Sequence, residues 1–97
     1  MKSDKVFKEF LLEVGAKLTE LREEKGYSTI KEFVTKYDLP EIQYWRIEKG
    51  KANITVKSLV KILSIHKISP RDFFEMLHND KLLTSLEPVK RKKKVRA

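Results

Sequence analysis

One stretch concentrates side chains able to read another molecule. From Pro40 to Lys51 the chain runs PEIQYWRIEKGK. In a helix, at about 100° per residue, Tyr44 and Ile47 fall within about 60° of each other with Pro40 between them. That is a stripe to bury, and Tyr44 is expected in the core. The other side presents Ile42, Trp45, Arg46 and Lys49, with Glu41 and Gln43 on its flanks. A single helix with this mixed face, ended by basic Lys49 and Lys51, suits a DNA major groove about 12 Å wide. Trp45 has two readings. It folds back to complete the core, or it contacts DNA sugar, a thymine or a partner surface.

No other constellation suggests catalysis. The chain has no cysteine, which removes disulfides, thiolate zinc sites and thiol nucleophiles and suits a reducing compartment. His66 and His78 stand twelve apart, without HxxxH spacing. They are expected at the surface, and no metal site is expected. There is no phosphate-binding loop, no dinucleotide fingerprint, and no Ser-His-Asp or paired-carboxylate arrangement in a fitting setting. The chain is therefore read as a non-enzyme without a cofactor.

Length and charge narrow the class. Ninety-seven residues hold one domain, or one domain plus a tail. Lys and Arg number 22 against 14 Asp and Glu, a net charge of +8. Six of those positive charges are Lys90, Arg91, Lys92, Lys93, Lys94 and Arg96. Residues 1–89 thus keep only +2. So dense a block of like charge is expected to be disordered when unbound and to grip phosphate nonspecifically, beyond a boundary at Pro88. The division is a folded domain over 1–80, with an N-terminal helical extension, and a basic tail over 81–97. No run is long and apolar enough for a membrane span, and no signal-peptide core opens the chain. A cytoplasmic, nucleoid-associated place is expected, with no membrane partner.

The elements that must position the reading face follow from helical periodicity. Val6, Phe7, Phe10, Leu11, Val14, Leu18 and Leu21 form one stripe, with Ser3 or Asp4 as a cap and Gly26 as the stop. Gly15 inside it marks either a join between two helices or a close packing contact. Ser28 or Thr29 caps a second helix with Ile30, Phe33, Val34 and Tyr37 on its apolar face. Asp38, Leu39 and Pro40 break it, because the residue before proline disfavours the α conformation. The third helix spans about 40–49, with Pro40 at its first position. Asn53 or Thr55 caps a fourth carrying Val56, Leu59, Val60, Ile62 and Leu63. Ser69, Pro70 and Asp72 open a fifth carrying Phe73, Phe74, Met76 and Leu77. Leu82, Leu83 and Leu86 extend that helix or cover an edge.

This ordered series resembles the helix-turn-helix of the lambda-repressor/Cro-like family, often called XRE-type regulators. The resemblance begins at VGAKLTELREEKG (Val14 to Gly26) and passes through YSTIKEFVTKYDLPEIQYWRIEKGK to Lys51. It ends in TVKSLVKILSIHKISPRDFF, and RIEKG (Arg46 to Gly50) is its strongest piece. The second helix is one residue longer than the family's spacing. The turn reads Asp38-Leu39-Pro40 where glycine is usual, and Asp tolerates the left-handed conformation.

The resemblance implies an all-α, compact five-helix lambda-repressor-like domain with the helix-turn-helix at helices two and three. It implies groove insertion of the third helix, N-terminus first, with Glu41, Ile42 and Arg46 at base-contact positions. Arg46 would fork onto guanine, Glu41 accept from cytosine and Ile42 touch a thymine methyl; Gln43 and Trp45 join them. It pairs Glu48 with Arg22 of the first helix. It places Lys49, Lys51, Asn53 and Lys57 in a phosphate-contact loop, with Ser28 and Thr29 on the other strand's phosphate.

The function implied is a sequence-specific double-stranded DNA-binding transcription regulator, repressor-like, acting as a homodimer. Phe73, Phe74, Met76, Leu77 and the later leucines either close the core or form the dimer surface. There is no room for a ligand-binding domain, so a signal is expected from a partner, from concentration or from proteolysis. The alternatives are the antitoxin of a toxin–antitoxin pair, neutralising a partner protein through its ends, and a fold that binds only protein through Ile42 and Trp45. RNA binding stays open because of the basic arm, although no stacking platform is evident.

Overall fold

The computed structural model describes residues 2–77. Leu82, Leu83, Leu86, His78 and the basic tail lie outside the described residues. Within them the chain forms five helices and no strand. These are α1 (Lys2–Glu24), α2 (Ile30–Tyr37), α3 (Glu41–Glu48), α4 (Val56–His66) and α5 (Pro70–Met76). No described helix is long and apolar enough to cross a membrane.

Each helix start follows from local chemistry. The hydroxyls of Thr29, Thr55 and Ser69 accept from the backbone N–H three residues on, at 3.1, 3.0 and 3.1 Å. Each satisfies one donor that the first turn leaves without a helical partner. Pro70 follows its cap, where its missing N–H costs nothing. Ser28 and Asn53 cap nothing; Thr29 and Thr55 hold those positions. Ser3 and Asp4 do not cap α1 either. The helix already runs at Lys2, and both lie within its first turns. Pro40 is the N-cap of α3 in extended conformation rather than its first helical residue. It is exposed, so the buried stripe of α3 is Tyr44 and Ile47 without it.

The core is one cluster: Val14 and Leu18 from α1, Phe33 and Val34 from α2, Tyr44 and Ile47 from α3, Leu59, Ile62 and Leu63 from α4, and Phe73 from α5. Every helix therefore contributes, and none has enough apolar surface to stand alone. Val56 and Val60 lie outside that stripe and are exposed. In α5 only Phe73 is fully buried; Phe74 is half-exposed and stacks on Phe10 at 6.0 Å. Phe33 is the aromatic centre, with Tyr27, Tyr37, Tyr44 and His66 at 5.6, 5.1, 5.3 and 5.5 Å between ring centroids.

His66 corrects the expectation of a surface histidine. Its ring lies nearly parallel to Phe33, at 10°, and its Nε2 is buried with no hydrogen-bond partner among the described residues. Burial first, and Lys25 second, push its pKa below 6.5, while Glu48 opposes them. The folded state thus favours neutral imidazole. The stability this contributes is complete above 6.5 and is lost as pH falls through 6.5 toward the lowered value. Thermal melts should therefore lose midpoint temperature as the pH is lowered through 6.5. His66→Phe, which keeps a stacked ring, should flatten that slope; an unchanged slope refutes the assignment.

Candidate nucleic-acid interface

The outward face of α3 depends on what holds its inward face. Glu48, the last residue of α3, is buried, as is Arg22 in the last turn of α1. Arg22 Nε donates to Glu48 Oε2 at 2.8 Å and Nη2 donates to Oε1 at 3.2 Å. Its Nη1 donates to the Tyr27 carbonyl at 2.7 Å, which ties in the α1–α2 loop. Thr19 Oγ1 donates to Glu48 Oε1 at 2.8 Å. The fork to Glu48 raises the Arg22 pKa further. Tyr44 Oη is buried beside this group without a hydrogen-bond partner among the described residues. Burial first, then the nearby Glu48 carboxylate, push its phenol pKa far up.

Gly15 sets the distance between the two helices. α1 is continuous through it, so of the two readings the close contact holds. A Cβ there would lie 2.3 Å from the Glu48 carbonyl oxygen and 2.6 Å from that of Ile47. Both are backbone atoms, so only glycine allows this approach. Gly50, with φ +71, follows α3, and its Cβ position falls 2.9 Å from Leu12 Cα. Two glycines thus seat the C-terminal end of α3 against α1.

The other end of α3 is set by the turn. Asp38 adopts φ 57 and ψ 53, and its N–H bonds back to the Val34 carbonyl. Leu39 N–H reaches the same oxygen at 2.9 Å and its side chain packs on the core. Three residues therefore join α2 to α3, and the left-handed aspartate supplies the reversal a glycine would supply elsewhere.

With Tyr44, Ile47 and Glu48 buried, the remaining side of α3 is exposed. Ile42 is 76 % and Trp45 42 % exposed, which decides between the two readings of Trp45: it does not complete the core. Lys49 Nζ sits 5.9 Å from the Trp45 ring centroid, a cation–π distance. Arg46 Nη2 donates to the Lys51 carbonyl at 3.0 Å, and Lys51 N–H donates to the Arg46 carbonyl at 2.8 Å. Arg46 is thus anchored at the α3–α4 loop yet exposed. Glu41 faces Lys31 of α2 at 3.6 Å, both solvated. Lys49, Lys51, Asn53, Lys57, Ser28 and Thr29 are all exposed.

The structure therefore brings Trp45 with Lys49, Arg46 with Lys51, and Glu41 with Lys31. Gln43 stands apart. It lines a cleft between α3 and α4, about 160° around α3 from Trp45. Lys31 and Lys61 were missed by sequence reasoning. Lys61 carried a signal, standing one turn after Lys57 on α4. Charge is also segregated along the chain. Residues 25–67 hold nine Lys and Arg against four Asp and Glu, a net of +5, whereas residues 1–24 hold five against six. Among the described residues no cluster of His, Asp or Glu could hold a metal.

No family model, curated protein or solved structure matches the chain.

Glu48→Ala would strand the Arg22 charge and should cost about 3–5 kcal/mol in chemical denaturation. The double change Arg22→Met with Glu48→Leu should recover most of that loss. Gly15→Ala, forcing apart two backbones, should cost about 1–3 kcal/mol. A Gly15→Ala protein as stable as the parent would show that α1 does not press on the α3 carbonyls.

Proposed function

We propose that the protein is a sequence-specific double-stranded DNA-binding regulator of lambda-repressor/Cro-like type, with α2 and α3 as its helix-turn-helix. The observation that carries this is the outward face of α3. It holds an anchored arginine, an acid, an aliphatic side chain and an indole in the open, on a helix fixed at both ends. Arginine and carboxylate are the groups that discriminate base edges in the major groove, and an aliphatic contact reads the thymine methyl. In this reading Arg46, Glu41, Ile42 and Trp45 face the bases. Lys49, Lys51, Asn53 and Lys57 hold the phosphates of one strand, and Ser28 and Thr29 those of the other. The net +5 over residues 25–67 supports this placement, because it puts the excess charge on the segment that carries the face. Gln43 fits the role of a base contact less well and is left to the cleft.

The basic arm adds nonspecific attraction. About five or six phosphate contacts give a steep dependence of affinity on salt. One helix reads only ~4–6 base pairs, so two copies on a two-fold site are expected.

A second reading rests on the same face. Exposed Ile42 and Trp45 are apolar surface that a protein partner would cover, and such surface on a small domain marks interaction sites. It predicts binding without salt-dependent DNA affinity.

Selection from a random duplex pool, followed by anisotropy titration at two salt concentrations, separates these readings. A two-fold site should be enriched. Arg46→Ala should lose about 1–3 kcal/mol on that site and relax its preference. Truncation after Pro88 should weaken all sequences alike and flatten the salt dependence. Uniform binding that disappears with the tail would sink the base-reading role of α3.

A further inference from the structure

The cleft between α3 and α4 lies apart from the base-reading face, shares only Lys57 with the phosphate-contact set, and has a composition of its own. Its volume is ≈ 220 Å³. Leu39, Tyr44, Ile47 and Ile62 give it an apolar floor, and Lys57 and Lys61 line it from α4. The three helical floor residues are buried, so the floor is fixed by the core. The two lysines stand four residues apart on one helix and are exposed. Neither has an ion pair or a side-chain hydrogen bond among the described residues. Like charges at this spacing disfavour one another, and an anion between them removes that penalty.

We propose that this cleft binds a small organic acid, with an apolar body of one ring or a short branched chain and a single carboxylate held by Lys57 and Lys61. The size of the body follows from the volume. A cavity of about 150 Å³ takes benzene, whereas drug-sized ligands occupy about 300–1,000 Å³. The charge follows from the rim. It also excludes the chain's own basic arm as occupant, since Lys90 to Arg96 would add positive charge to positive charge. An inorganic anion would leave the apolar floor uncovered. A peptide helix would need successive anchors along a groove, and a cleft of this volume seats one group.

The acid shares Lys57 with the phosphate-contact set. Its binding would therefore remove a phosphate contact and lower DNA affinity, a consequence that rests on the DNA-binding reading; the site itself does not. The DNA-binding domain would then carry a sensor of its own.

The test is a ¹H–¹⁵N titration of the labelled full chain with phenylacetate, with benzylamine (similar body, opposite charge) and with acetate (no body). Phenylacetate should give saturable shifts at Gln43, Tyr44, Lys57, Ser58 and Lys61, and the two controls should not. The exposed double change Lys57→Gln with Lys61→Gln, which leaves the core untouched, should weaken phenylacetate by about tenfold or more, some 1.4 kcal/mol. Equal shifts from acetate, no saturation, or unchanged affinity in the double variant overturns the site. In a parallel anisotropy titration, phenylacetate should release DNA from the parent chain. If the chain binds no DNA at all, the DNA reading fails while the spectral titration still decides the cleft.

Discussion

The fork from Arg22 to Glu48 is the interaction on which the arrangement depends. It joins the last turn of α1 to the last residue of α3, and the same guanidinium holds the Tyr27 carbonyl at the entrance to α2. Two charges taken out of water are expensive, and the attraction between them repays this only when the geometry is good and the remaining donors are used. Here three Arg22 nitrogens and both Glu48 oxygens are engaged, the second oxygen also by Thr19. The pair specifies more than it stabilises. An apolar pair of similar volume would hold the helices together without the directional hydrogen bonds that help to set the rotation of α3. That rotation decides whether Ile42, Trp45 and Arg46 or some other set faces outward.

The fold was legible wherever apolar spacing alone decides. The main stripes of α1, α2 and α4 follow from residue type and period, though Phe7, Val56 and Val60, expected on them, are exposed. The cap Ser69 and the turn at Asp38-Leu39-Pro40 follow likewise, while Thr29 and Thr55 are each one of two caps that residue type allows. Errors lie where two neighbours offer the same chemistry. Pro40 can be N-cap or first helical residue, and one hydrogen bond separates the alternatives. Ser3 and Asp4 read as a start because their side chains can cap, yet nothing local stops the helix from continuing to Lys2. His66 was misplaced although it stands three, four and seven residues after Leu63, Ile62 and Leu59, on the buried stripe. Its polarity outweighed its position.

The site was legible in a different way. That α3 has a buried and an open side follows from its helical wheel. The partner of Glu48 came only through the resemblance, since no local spacing links residues 22 and 48. The cleft was not legible at all. It is a concavity between two helices, and neither helix records it in its own period. Gln43 shows the same limit: on the wheel it flanks the open face, but α4 turns that flank into one wall of a cavity.

Among the described residues, two in the left-handed conformation are not glycine. Asp38 has φ 57 and Lys67 φ 59, each just past the end of a helix. A side chain in that conformation strains the folded state by roughly 1 kcal/mol. It also narrows the range of conformations open to those residues in the unfolded chain, which glycine would widen. The reversals after α2 and α4 are therefore held by packing of Leu39 and Ile68 on the core rather than by backbone preference. Such joints are intolerant of loosening: when the core lets go, they relax together with it instead of opening one at a time. A chain of short helices connected in this way gains cooperativity from its turns, and the open side of α3 keeps its orientation until the whole domain unfolds.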